Sequence, residues 1–373
     1  MRFKEVYGQL RLKESLIKAV NGNRLPHALL FHGPQGCGKL AMALALAQYV
    51  NCPHRTEEDS CGECPSCIQM QKLVHPDLHF AFPITRSKES ITCDNYLAQW
   101  RERVLQSPYF DLGQWEQCIS QDKKQSMIYA NESDEIIKKL SVKSYQSEYK
   151  IMVIWLPERM MNDVCANKLL KIIEEPPSKT LFILVSDEAE KLLPTITSRT
   201  QRFFVPPLLE SDLSDALSKE SGIAPDELAY LSHVSNGSLT KAMELHHAYE
   251  SENENHNLFV QVMRYCYARK VKELKMWAET IGMAGKKEQL SFLRYAQKTV
   301  RENFIFNLQV SQLNYQSREE AAFSQKFAPF INERNISGFL SELELSERHV
   351  EQNVQAKIVF FDLALKIAVL IRK

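Results

Sequence analysis

The chain has 373 residues and 46 Lys and Arg against 46 Asp and Glu, a formal net charge of zero. With 44% apolar and 9% aromatic residues it can bury real cores, which excludes global disorder. Neutrality excludes coating of nucleic acid or membrane by bulk charge, and no run of about 18 uncharged apolar residues exists to span a bilayer.

A prior of about 150 residues per domain predicts two or three domains. The start, MRFKEVYGQL, lacks the apolar stretch of a secretory leader. Residues 29–31 read as a short buried strand, followed by the glycine loop 33–39 and an alanine-rich helix over 40–50. Residues 84–149 are the hardest to read. An amphipathic helix is expected over 94–105. Another begins near Asn131, with Glu132, Asp134 and Glu135 in its first turn and Lys138 and Lys139 toward its end, as the helix dipole favours.

Further buried strands are expected at 151–155, 181–185 and 203–205. Between two of them a helix over 162–175 carries the apolar stripe Leu169, Leu170, Ile172 and Ile173 and is stopped by Pro176-Pro177. Strands alternating with helices predict βαβ units and a largely parallel sheet. After Pro206-Pro207 the pattern is helical, with a loop at 235–238 and a buried helix at 358–371. The division that follows is an α/β domain over 1–207, with a cysteine module at 52–67 and an insertion of about 84–130. A small helical domain over 208–250 and a helical domain over 251–373 complete it.

Gly33-x4-Gly38-Lys39 matches a phosphate-binding loop, in which backbone N–H groups wrap phosphates and the lysine reaches the terminal ones. The next position needs a hydroxyl for Mg²⁺ and holds Leu40 instead. The strand 151–154 should run into acidic residues that hold the metal and orient water, yet it meets Trp155 and Leu156. Glu158 comes three residues late and reads as a solvated surface carboxylate. Hydrolysis by this chain is therefore not expected. Gly33, Gly36, Gly38 and Lys39 still permit ATP or ADP binding.

Four of the nine cysteines, Cys52, Cys61, Cys64 and Cys67, supply enough thiolates to close a tetrahedral Zn²⁺ shell. Gly62 and Pro65 inside the CxxC steps favour the tight turns this needs. An iron–sulfur cluster is the alternative occupant. Clustered thiols without a secretory signal argue for metal over disulfides, and for a cytoplasmic location.

Tyr7-Gly8-Gln9, residues 25–31 (LPHALLF) with the glycine loop, the four cysteines, His75-Pro76-Asp77, residues 166–177 (ANKLLKIIEEPP) and 193–200 (LPTITSRT) together resemble one family. It is the clamp-loader ATPases of bacterial replication, within the AAA+ group. The resemblance implies an AAA+ (RecA-like) P-loop domain with a zinc module, then a helical lid and an all-α collar. Leu40, Trp155 and Leu156 are similar to the degenerate nucleotide motifs of the family's delta-prime-type members. Such members sit in a five-membered ring with tau/gamma-type ATPase subunits and the delta subunit. Through that assembly they meet the sliding clamp and primed DNA. The resemblance also implies that Arg199 acts in trans as an arginine finger on a neighbour's ATP, although members usually read Ser-Arg-Cys where this chain has Ser198-Arg199-Thr200. Lys241 falls near the family's second basic sensor, and Lys168 and Lys171 are candidates to approach DNA phosphates. The alternatives are a working tau/gamma-type ATPase with unusual metal ligands and a zinc-dependent nucleic-acid binder.

Overall fold

A computed structural model describes every residue except 87–91, 120–124, 161, 220–222, 224, 308–317 and 373, and the side chains of all of these but 162–167, 225–226, 250 and 318–322. The chain divides into two compact units, Met1–His246 and His247–Lys373.

The first unit is built on a five-stranded sheet in the order β2-β3-β4-β1-β5, parallel throughout. The strands are β1 (Ala28–His32), β2 (Leu78–Ala81), β3 (Lys150–Trp155), β4 (Thr180–Ser186) and β5 (Gln201–Phe204). Residues of β3 and β4 are buried along their whole length, as continuous apolar runs covered on both faces must be. The connecting helices include α1 (Leu10–Asn21), α2 (Lys39–Val50), α3 (Pro65–Gln71), α4 (Leu97–Gln106), α5 (Leu112–Ile119), α6 (Ala130–Ser141), α7 (Asn162–Glu174) and α8 (Pro194–Thr197). After the sheet come α9 (Glu210–Leu217), α10 (Pro225–Val234) and the first turns of α11 (Leu239–Ala268).

The expected strands and helices form within one or two residues of their anticipated ends, except that the 94–105 helix opens with a 3₁₀ turn at Cys93–Tyr96. Strand β2 was not anticipated, being four residues long with His79 in the middle. Its position is set by the residues before it. The His75 Nδ1 accepts the backbone N–H of Asp77 at 3.1 Å, so its proton sits on Nε2, 2.8 Å from the Ser147 hydroxyl. The Asp77 carboxylate accepts three backbone N–H bonds, from Tyr145 (2.6 Å), Gln146 (2.8 Å) and Ser147 (2.8 Å). These bonds bring the chain before β3 to the start of β2 and fix the pairing of Leu78 with Ile151. At the first residue of β3, the buried Lys150 ammonium donates to the carbonyls of Lys139 and Val142 and so caps the C-terminus of α6.

The second unit is helix packed on helix: the rest of α11, then α12 (Val271–Met283), α13 (Lys286–Asn307), α14 (Arg318–Phe327), α15 (Ile336–Glu351) and α16 (Ala356–Leu370). Phe259, Phe292, Phe339 and Phe360 are fully buried in its core, with Trp277 beside Phe292 and Phe360. The run expected to be a buried helix is α16, and only one face of it is buried. Val359, Phe360, Leu363 and Ile367 point inward while Ile358 and Val369 are each 61% exposed. Asp362 and Lys366, one turn apart at 2.9 Å, lie on the outer side.

Burial opposes charge on Asp77, but the three N–H bonds and nearby His75 hold its carboxyl below the ordinary 3.8. Asp77→Ala is expected to cost about 3 kcal/mol at pH 7, because it orphans those N–H groups. A depressed folded-state pKa contributes stability above the unfolded value and loses it as pH falls through the folded one. Urea unfolding at neutral pH and below pH 3.8 should therefore show the gap between wild type and variant shrinking in acid.

Candidate functional site

The cysteine module begins where α2 ends. Cys52 follows the α2 cap residue Asn51, and Cys67 lies in the first turn of α3. All four sulfurs lie within 4.8 Å of one another, with Cys52–Cys61 at 3.6 Å and Cys61–Cys67 at 3.9 Å. A tetrahedron with Zn–S arms of about 2.3 Å has edges of about 3.8 Å, so the donor set fits a four-thiolate ion. Those separations also exclude disulfides, whose S–S distance is about 2.05 Å. Backbone N–H groups of Cys61, Cys64 and Cys67 each point at the preceding ligand's sulfur at 3.4 Å. The N–H groups of Glu63 and Cys64 pull the Cys61 thiol down to about 6 against the effect of its burial. The module is tied to the N-terminus by Asp59, whose carboxylate accepts from the backbone of Phe3 and Lys4, each at 3.0 Å.

The glycine loop lies between β1 and α2, at the C-terminal edge of the sheet where open α/β folds bind ligands. Its lysine is already occupied. Lys39, 4% exposed, pairs with Asp187 at 2.8 Å and donates to the carbonyls of Gly33 and Pro34. Asp187 follows β4 and is held there by Glu158, whose carboxylate accepts the backbone N–H groups of Asp187 (2.8 Å) and Glu188 (3.2 Å). Glu158 is thus not the solvated surface group anticipated. It is a half-buried brace, its carboxyl raised above the ordinary range by burial.

Tyr109 and Phe110, from the chain between α4 and α5, cover one end of the loop. Gly38 has φ +92°, and a Cβ there would meet Tyr109 Cε1 at 2.9 Å. Tyr109 accepts the Tyr7 N–H at 3.1 Å and is only 8% exposed. The space left between Gly36, Gly38, Lys39, Tyr109, Phe110 and Trp155 is about 20 Å³, room for about one water. Trp155, standing where an acidic metal ligand was sought, packs on Phe110 at 5.0 Å and Trp100 at 5.3 Å. Trp100 in turn stacks on Phe82 at 4.3 Å and meets Trp115 edge-on at 5.3 Å. Leu40 is buried in the same core. Behind the loop, a Cβ on Gly36 would fall 2.1 Å from the Ser238 hydroxyl, and Gly36 accepts the Leu239 N–H at 3.1 Å.

The remaining residues singled out from the sequence do not converge on the loop. Arg199 follows α8, and its Nε donates to Glu174 at 2.9 Å while an Nη donates to the Thr195 carbonyl at 3.0 Å. Lys168 on α7 forms an exposed pair with Asp134 of α6 at 2.8 Å, Lys171 is exposed, and Lys241 is exposed in the first turn of α11. Asp187 and Tyr109 were missed. The signal for Tyr109 was the density of aromatics in 96–115; for Asp187 there was none, since its role depends on a strand partner distant in sequence.

The chain purified without chelator is expected to carry one equivalent of zinc and no colour. Elemental analysis and thermal unfolding of Cys64→Ser should then show loss of metal together with a lowered midpoint. A brown protein would mean iron and sulfide instead.

A family model described as "DNA polymerase III, delta subunit" matches residues 8–208. The DNA polymerase III subunit delta' of Escherichia coli is 28% identical over 233 residues, which are 62% of this chain and 58% of the relative. That of Bacillus subtilis is 28% identical over 237 residues, 64% and 59%. The DNA polymerase III subunit gamma/tau of Mycobacterium bovis is also 28% identical, over 231 residues, 61% of this chain and 33% of the relative. The chain thus spans between 33% and 59% of the length of these curated relatives. Because the family match covers more than half of the chain and takes in every strand of the sheet, the chain belongs to the clamp-loader family described as DNA polymerase III, delta subunit.

Proposed function

We propose that the chain is a non-hydrolysing, delta-prime-type member of a replicative clamp loader. The observation that carries this reading is the occupied phosphate loop: Lys39 is neutralised by Asp187 while Tyr109 lies on Gly38. A triphosphate would have to displace a carboxylate from the lysine and an aromatic ring from the glycine. Leu40 and Trp155 would then offer it no oxygen ligand for Mg²⁺. The similarity to gamma/tau subunits is as strong as that to delta' subunits, so it is this geometry, rather than kinship, that favours the inert reading over the motor.

In this reading residues 1–207 form the AAA+ base, 208–250 the lid and 251–373 the collar that joins the ring. Cys52, Cys61, Cys64 and Cys67 hold a structural zinc. A closed shell of four thiolates leaves the ion no position for water or substrate, so it fastens the loop between α2 and α3. The partners are tau/gamma-type ATPase subunits and the delta subunit in the cytoplasm, with the sliding clamp and primed DNA met through the assembly. Arg199 supplies the trans contact. A guanidinium set against the γ-phosphate of a neighbouring subunit stabilises the charge that develops as the phosphoryl group transfers.

The test is DNA- and clamp-stimulated ATP turnover in a loader reconstituted with its ATPase and delta subunits. The chain alone is expected to be inert. Arg199→Ala should leave assembly intact and slow turnover, by on the order of 10³-fold at the one dependent site and less in the assembly's total. Hydrolysis by the isolated chain would establish the motor reading instead.

A further inference from the structure

Arg199 is fixed by two anchors. Its Nε donates to Glu174 Oε2 at 2.9 Å and an Nη donates to the Thr195 carbonyl at 3.0 Å. A guanidinium is planar with five N–H donors in a rigid fork, so two anchors set its plane as well as its position and leave donors for an anion. The anchors come from two elements, α7 and α8, and the segment between α8 and β5 is itself fixed. Ile196 is buried, and the buried Thr200 hydroxyl donates back to the Ile196 carbonyl at 3.2 Å.

Glu174 stands at an unfavourable place for a carboxylate. It is the last residue of α7, where the negative end of the helix opposes it. Arg199 offsets that opposition. The pair is open to water, with side chains 33% and 56% exposed, and exposed pairs of this kind add little to stability. A contact that stabilises the fold so little, yet orients an arginine through two of its donors, has its effect on the arginine.

We infer that Glu174 is a positioning residue that pre-orients Arg199 for the terminal phosphate of a nucleotide held by the adjoining subunit. The inference rests on the arginine-finger reading above. A loose arginine loses rotamer freedom when it engages a phosphate, whereas one already anchored has less to lose. The effect belongs to turnover rather than to nucleotide affinity, since the neighbour's own loop holds the nucleotide.

The experiment uses the full chain in the reconstituted loader and reads kcat and KM for ATP with primed DNA and clamp present. Glu174→Ala is expected to lower the Arg199-dependent part of kcat about three- to tenfold at unchanged KM. Glu174→Gln, whose amide oxygen still accepts from Nε, should retain most of it. The double variant Glu174→Ala/Arg199→Ala should be no slower than Arg199→Ala alone. The inference is overturned by single effects that multiply in the double variant, by faster turnover in Glu174→Ala, or by no change there while Arg199→Ala is slow. In that last case the finger reading survives. No effect of Arg199→Ala would instead remove the finger reading. The unfolding midpoint of Glu174→Ala should match wild type; if it drops, the Gln variant, which keeps the side chain's volume, supplies the comparison.

Discussion

The ion pair between Lys39 and Asp187 organises the nucleotide end of the first unit. A phosphate loop gathers positive potential from a lysine and a helix N-terminus, and that potential needs an anion. Here the anion is internal. Asp187 reaches Lys39 from the end of β4, and Glu158 holds the turn that carries it. A second acidic residue thus braces the first, and neither position is that of a metal ligand.

The internal anion goes together with an internal cover. Tyr109 and Phe110 reach the loop from the chain between α4 and α5, and the Trp100–Trp115–Trp155 cluster fastens that chain to the end of β3. Tyr109 also touches the Tyr7 ring at 5.6 Å, and the Lys219 ammonium lies 4.6 Å from the same ring. With the Gly36–Leu239 bond, these contacts connect the loop to the chain just after α9 and to the start of α11. The proposed reading, an inert member that contributes at its edge through Arg199, accords with a loop held in this way.

Much of the sheet was legible because β1, β3 and β4 are apolar on both faces and need no alternation to be recognised. The cysteine module was legible from spacing alone, since CxxC steps leave few other arrangements for four sulfurs. Strand β2 was not, being four residues long and interrupted by His79, and its register depends on hydrogen bonds from Asp77 to a segment far along the chain. Glu158 and Asp187 were illegible for the same reason. A carboxylate three residues past a strand reads as surface until the neighbouring strand's end is known to lie beside it. Residues 84–130 were opaque in periodicity, yet their aromatics carried the message that they bury something. What they cover is the Gly38–Lys39 end of a loop that, one motif at a time, read as a nucleotide site.

The central claim is that the phosphate loop is satisfied from within. Equilibrium dialysis of the isolated chain against labelled ATP and Mg²⁺ tests it most directly. The account predicts no saturable binding at millimolar nucleotide. Saturable binding in the micromolar range would contradict it, because Asp187 and Tyr109 would then have yielded their places to a phosphate.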